Sequence, residues 1–300
     1  MAGSSALTSI SNALADAVDG AAGSVVQVHG HRRAASGVVY SSEVVVTMAR
    51  SLGREDGLHV TQPDGGTLDA ELAGWDPATS LAVLRVPGLK AAPLKPAASA
   101  ARVGNLAVAI ARSWSNGVTA SVGNVAIIGG PLATGRRREI EQVIRTTARM
   151  HEGFAGGAFI NTDGELIGVA TSTSIRGLGV VIPASIAWKT AAWVLEHGKA
   201  KRGYLGIAGQ PASLPDTQQR GESRSEALLV VGVTGGSPAD QAGVLVGDLL
   251  LDFDGEPVNS PEDLLDLLMG DRVGRAVPLR VLRGASAVTL TVTPGERSEG

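Results

Sequence analysis

The sequence predicts a mainly β protein built from two unequal units. Three observations carry that prediction. Many short runs rich in Val, Ile and Ala lie close together up to residue 183, separated by turn signals such as Asp64-Gly65-Gly66 and Asp163-Gly164. An alanine-rich stretch with helical spacing then runs from Ala184 to His197 and stops at Gly198. After a basic linker, a second set of strands begins at Gly203, accompanied by one well-signalled helix. A chain of 300 residues suits two such domains. With 44% apolar and 18% charged residues it can build packed cores and shows no global disorder.

In chain order, residues 5 to 18 carry Leu7, Ile10, Leu14 and Val18 on roughly one helical face. Strand-like runs follow at Ser24 to His29, Ser36 to Tyr40, Glu43 to Thr47, Leu58 to Thr61, Thr67 to Gly74 and Leu81 to Arg85. Further runs cover Leu106 to Ala111, Ala120 to Ile128, Gln142 to Thr146, Gly156 to Ile160, Leu166 to Thr171 and Gly179 to Ile182. So many short strands at close spacing argue for an antiparallel barrel or sandwich. The expected division is a helical segment 1–19, a β domain 20–198, a linker 199–202 and a second domain 203–297. In that second domain strands are expected near 204–208, 227–234, 248–254, 277–283 and 286–293. A helix is expected over Ser260 to Met269, where Ser260 caps, Pro261 opens and acids fill the first turn. The polar stretch Ser213 to Glu226 reads as a loop.

Composition narrows the chemistry. The absence of cysteine excludes disulfides, thiolate metal sites and cysteine nucleophiles. A net charge of -3 leaves no basic footprint for nucleic acid. The first twenty residues lack the basic n-region of a signal peptide, and no stretch has the roughly 18 uncharged apolar residues of a membrane span. No cofactor is expected, and the compartment is not readable.

Three segments in order carry the strongest motif. They are Val44-Val45-Val46-Thr47-Met48-Ala49-Arg50, then Asp76-Pro77-Ala78-Thr79-Ser80-Leu81-Ala82-Val83-Leu84, then Gly153-Phe154-Ala155-Gly156-Gly157-Ala158-Phe159. Together they resemble the chymotrypsin-like domain of the HtrA/Deg serine proteases, and Asp163 to Val169 continues the match. The resemblance implies a double β-barrel. It sets Arg50 at the position of the catalytic histidine, Ser80 at that of the aspartate and Ala155 at that of the nucleophile. Triad chemistry needs an attacking oxygen, an imidazole base and a carboxylate to orient it. Ala155 has no oxygen, Arg50 stays protonated, and Ser80 bears no charge.

The expected state is a degenerate triad with no active catalytic residue. A backbone hollow formed by Gly153 and Ala155 is expected to persist as a remnant oxyanion loop, with Phe154 and Phe159 partly filling the cleft. His151, Glu152 and Ser51 are the neighbours from which a substitute chemistry could come. The resemblance also implies a cell-envelope or periplasmic location. The family's trimers join through aromatic residues near the N-terminus of the barrel, and no aromatic residue precedes Tyr40 here, so the oligomeric state stays open.

Gly203-Tyr204-Leu205-Gly206-Ile207 resembles the carboxylate-binding loop that opens the PDZ domain of the same family, and Gly235 to Gly243, Gly247 to Leu250 and Asp254-Gly255 agree with it. The resemblance implies capture of polypeptide C-termini, with Tyr204, Leu205, Gly206 and Ile207 on one side of a groove and Leu264, Leu265 and Leu268 on the other. His29 and His31, two apart on a strand, form a weaker metal candidate because two ligands do not close a site. Arg136-Arg137-Arg138 reads as a solvated loop. The leading expectation is a non-catalytic polypeptide-binding or scaffold protein. The alternatives are an active serine endopeptidase and a metal-binding protein.

Overall fold

The computed structural model describes residues 5–30, 34–53, 56–135, 138–198, 203–214, 225–268 and 272–296. The chain divides into two compact units, residues 1–199 and 200–300. The first holds two closed six-stranded antiparallel barrels. Barrel one consists of β1 (Val25–His29), β2 (Ala35–Ser41), β3 (Val44–Met48), β4 (Leu58–Thr61), β5 (Thr67–Trp75) and β6 (Leu81–Arg85), closed in the order β1-β2-β3-β6-β5-β4. Barrel two contains β7 (Leu106–Ala111), β8 (Thr119–Gly129), β11 (Val143–Thr146), β12 (Ala158–Ile160), β13 (Leu166–Ile175) and β14 (Leu178–Pro183).

The continuous apolar runs arise because single strands face two cores. On β3, Val45 points into barrel one with Val26, Val39 and Leu84. Its neighbours Val44, Val46 and Met48 point the other way, towards Leu81, Val83, Ile182 and Ala155. Strand side chains alternate faces, so a strand buried on both shows no polar beat. The helix Ala184–His197 closes that second core with Ala187, Ala191 and Val194, one helical stripe.

The N-terminal helix α1 (Ala6–Ala22) extends beyond the stretch the periodicity marks, because Ala17 and Ala21 pack beside Val108, Ile110 and Ile160. Its first turn is capped by the Ser5 side chain. The short hairpin β9 (Leu132–Gly135) and β10 (Arg138–Ile140) carries no alternation long enough to read from sequence. Arg136 and Arg137 lie outside the described residues. Among the described residues, no helix is long and apolar enough to cross a membrane.

The second unit is a sheet in the order Ile207–Ser213, Glu226–Val233, Leu249–Phe253, Val277–Arg283, Ser286–Val292. Its helix Pro261–Leu267 starts at a full capping box between Ser260 and Asp263. The expected end of that helix at Met269, and the Ser213 to Glu226 loop apart from its ends, fall outside the described residues.

Candidate functional site

Arg50 sits on a single helical turn, Ala49–Leu52, directly after β3. The turn is tied to Ser80, whose carbonyl accepts from the Ala49 N–H at 2.8 Å. Ser80 itself is held at φ 58, in the left-handed region. The nearby Asp76 is turned onto Thr79: its Oδ2 accepts from Thr79 N–H at 2.7 Å and from Thr79 Oγ1 at 2.6 Å. The Ala155 methyl is 1% exposed and packs with Met48, Val46 and Leu81. Arg50 and the Gly153 loop share a cleft of about 720 Å³, lined by Ala34, Ala35, Arg50, Ser51, Trp114, His151, Glu152, Gly153 and Ser172.

The expected oxyanion hollow is not open. A 3-10 turn spans Glu152–Phe154 and is capped by His151, whose Nδ1 accepts from the Gly153 N–H at 3.0 Å. The Ala155 N–H donates to the Glu152 carbonyl at 3.0 Å, and Phe154 N–H to the His151 carbonyl at 2.9 Å. Gly156 N–H donates to Ala170 and Gly157 N–H to Phe154. Five consecutive amides therefore already have acceptors, and the Gly153 and Ala155 donors an anion would need are engaged. Sequence reasoning assigned the glycines to amide presentation, whereas packing also demands them. A Cβ on Gly153 would lie 2.3 Å from Ser113 Oγ, and one on Gly157 2.3 Å from the Ile110 carbonyl.

The expectation of a filled cleft is also corrected. Phe154 and Phe159 are buried in the core of barrel two with Ala109, Ile144 and Val181, so they leave the cleft free. Its wall carries instead a residue the sequence reading missed. Trp114 is 72% exposed and stacks on His151, with centroids 4.6 Å apart and planes 7° apart. The only available signal was a tryptophan set among Ser113, Ser115, Asn116 and Gly117, where no core exists to bury it. Ser113 Oγ, beside Gly153, is a buried hydroxyl without a hydrogen-bond partner among the described residues. His151 therefore pairs with a backbone amide rather than with a hydroxyl.

His29 Nε2 meets Thr61 Oγ1 at 2.9 Å, and burial followed by repulsion from His59 holds its pKa below the ordinary imidazole value. His59 is its cross-strand neighbour and contacts Asp69 at 3.0 Å. His31 lies outside the described residues, and among those described no cluster of three or more metal-ligating side chains occurs.

In the second unit, Gly206 adopts φ +80, and a Cβ there would lie 2.3 Å from Ser237 Cβ. The Leu205 carbonyl accepts from Ala239 N–H at 2.9 Å and the Gly206 carbonyl from Thr234 N–H at 2.8 Å. In a trans peptide the N–H points opposite the C=O. The N–H groups of Gly206 and Ile207 are thus turned away from Ala239 and Thr234. Leu205 is buried with Leu264 and Leu268 in the unit's core, so these leucines do not offer an open groove wall. Leu265 is 57% exposed. Tyr204 brings its hydroxyl close to the Gly206 turn.

Comparisons with known proteins agree with this architecture. Residues 35–169 match the trypsin-like peptidase domain and residues 203–293 the PDZ domain. The chain is 30% identical over 275 residues to the serine endoprotease DegS of Escherichia coli (strain K12), covering 87% of this chain and 76% of that protein. It is 31% identical over 268 residues to the periplasmic pH-dependent serine endoprotease DegQ of the same organism, covering 86% of this chain and 58% of DegQ. Among solved structures, a serine endoprotease from Yersinia pestis superposes with TM-score 0.60 at 28% identity, over 95% of this chain and 98% of that one. The HtrA-type protease AlgW with a decapeptide superposes with TM-score 0.59 at 25% identity, over 96% and 99%. Two closed barrels followed by a PDZ unit, with this identity over most of both chains, make the protein a member of the HtrA/DegS-type family of trypsin-like serine proteases.

Proposed function

We propose that the chain is a non-catalytic member of its family that holds polypeptide C-termini through its PDZ unit. The observation that carries the reading is the set of side chains at the three positions that resemble the triad: a methyl at Ala155, a permanent cation at Arg50 and a neutral hydroxyl at Ser80. In subtilisin, a worked example of this effect, removal of the triad lowers turnover by about a million-fold. Nothing near the cleft replaces those groups among the described residues. His151 Nδ1 accepts from Gly153, Asp76 Oδ2 accepts from Thr79, and Ser113 Oγ makes no hydrogen bond to an imidazole or carboxylate. The relatives are named serine endoproteases, and the same fold supports binding without hydrolysis once the attacking oxygen is gone.

The PDZ half of the proposal rests on the outward N–H groups of Gly206 and Ile207, which suit a terminal carboxylate as charge-assisted donors. The test is paired. The full chain should leave denatured casein intact and take no label from a fluorophosphonate. It should bind a peptide with a free C-terminus and lose binding when that terminus is amidated. Casein turnover blocked by a serine-directed inhibitor would overturn the first half, and equal binding of free and amidated peptides the second.

A further inference from the structure

We propose that the cleft between the two barrels is a second polypeptide site, which recognises an acidic side chain beside an aromatic one through Arg50 and Trp114. The inference deepens the non-catalytic reading and rests on it, since an active site would consume such a segment.

The cleft holds about 720 Å³, a size that accommodates several residues of extended chain. Arg50 is exposed on its wall, and among the described residues no carboxylate pairs with it. Glu152, an acid in the same lining, has an interaction of its own. A guanidinium on a concave wall attracts anions more strongly than one on a convex surface, and its planar fork fits a carboxylate with two parallel hydrogen bonds.

In the same cleft, Trp114 presents an indole 72% open to solvent. An aromatic face this exposed is an unsatisfied apolar surface. It is also fixed: the indole stacks on His151, and the His151 ring is held in turn by the Gly153 N–H. A rigid platform loses little conformational freedom when a ring packs on it. The hydroxyls of Ser51 and Ser172 add neutral donors and acceptors for the peptide backbone. A cation, a flat apolar wall and two hydroxyls within one hollow suit a ligand that carries a carboxylate and an aromatic ring.

The experiment uses the full chain and a fluorescein-labelled, C-terminally amidated peptide with Asp-Phe at its centre, so that the carboxylate-dependent PDZ mode is unavailable. Fluorescence anisotropy should report binding that weakens at least tenfold when Asn replaces Asp. Arg50→Glu should weaken the Asp peptide equally and reverse the preference towards a Lys-Phe peptide. Trp114→Ala should weaken the Asp-Phe peptide and leave an Asp-Gly peptide unaffected. Both substitutions fall at exposed positions, and circular dichroism confirms that each variant folds. Absence of binding by the Asp-Phe peptide, or affinities within twofold across the Arg50 variants, overturns the proposal. Mass spectrometry of the incubated peptide separates the two readings: cleavage refutes the non-catalytic assignment, whereas an intact and unbound peptide refutes the cleft site alone.

Discussion

The loop around Gly153 and the loop around Gly206 are the two glycine-bearing turns by which the family's protease and PDZ domains are known, and here they use their amides differently. Around Gly153 every N–H from residue 153 to 157 has an internal acceptor. Around Gly206 the carbonyls turn inward, and the amides of Gly206 and Ile207 face away from them. Yet both loops keep their glycines for one physical reason. A Cβ at Gly156, where φ is +81, would sit 2.2 Å from the Ser36 carbonyl, as one at Gly206 would collide with Ser237. A glycine motif therefore records how closely the backbone packs. What that backbone offers a ligand is decided by where its hydrogen bonds go.

The largest expected effect tests the cleft side of this comparison. On the non-catalytic reading proposed above, introducing Arg50→His, Ser80→Asp and Ala155→Ser together should give hydrolysis that Ala155→Ser alone does not. The closed turn should hold the restored activity about 10²- to 10³-fold below that of a working relative, the loss expected for a missing oxyanion donor. Fluorogenic casein and fluorophosphonate labelling read both steps. A triple variant as fast as DegQ would show that the turn opens freely and that the amides of Gly153 and Ala155 remain available.

Gly206→Ala is the corresponding test on the PDZ side. The left-handed φ and the contact with Ser237 together should destabilise the second unit by about 3 kcal/mol and abolish carboxylate-dependent binding. Denaturant unfolding with a peptide titration reads both. A variant that binds normally would remove Gly206 from the site. Next in size is Asp248→Ala. The Asp248 carboxylate is 1% exposed and accepts from Arg283 at 2.8 and 2.9 Å and from the Leu245 N–H at 2.9 Å. Burial pushes its pKa up, and these bonds more than offset that, leaving it below the ordinary carboxylate value. Removing it should cost about 2 kcal/mol in the second unit. In the native protein that contribution is present above the ordinary carboxylate range and is lost as pH falls through the depressed value.

Sequence could reach much of this. Alternation and turn signals give the strands, and the three ordered motifs give both barrels, because residues such as Val44, Val45 and Val46 lie on a strand that faces two cores. The hairpin Leu132–Gly135 with Arg138–Ile140 was not legible, since its strands are too short to show a period. Nor was the closed turn at Gly153. It depends on an imidazole two residues earlier capping an amide, a choice between hydrogen bonds that spacing does not encode. Trp114 was invisible as a site residue for a related reason: its partner His151 is distant in sequence and meets it only once barrel two has closed.

The smallest effect separates the two units by pH. His29 has its pKa lowered by burial first and by His59 second, so the folded barrel resists its protonation more than the unfolded chain does. Between the depressed folded value and the ordinary unfolded one, the unfolded state binds more protons, and stability rises with pH. His29 therefore contributes a loss of stability in the first unit as pH falls through the imidazole range, whereas Asp248 acts on the second unit only at lower pH. Thermal unfolding across a pH series should show the two units diverging, and His29→Gln should flatten the upper part of the first unit's curve. A first unit whose melting temperature is flat across the imidazole range, in native protein and variant alike, would mean that protonated His29 finds compensation on the His59–Asp69 face that its contact with Thr61 does not provide.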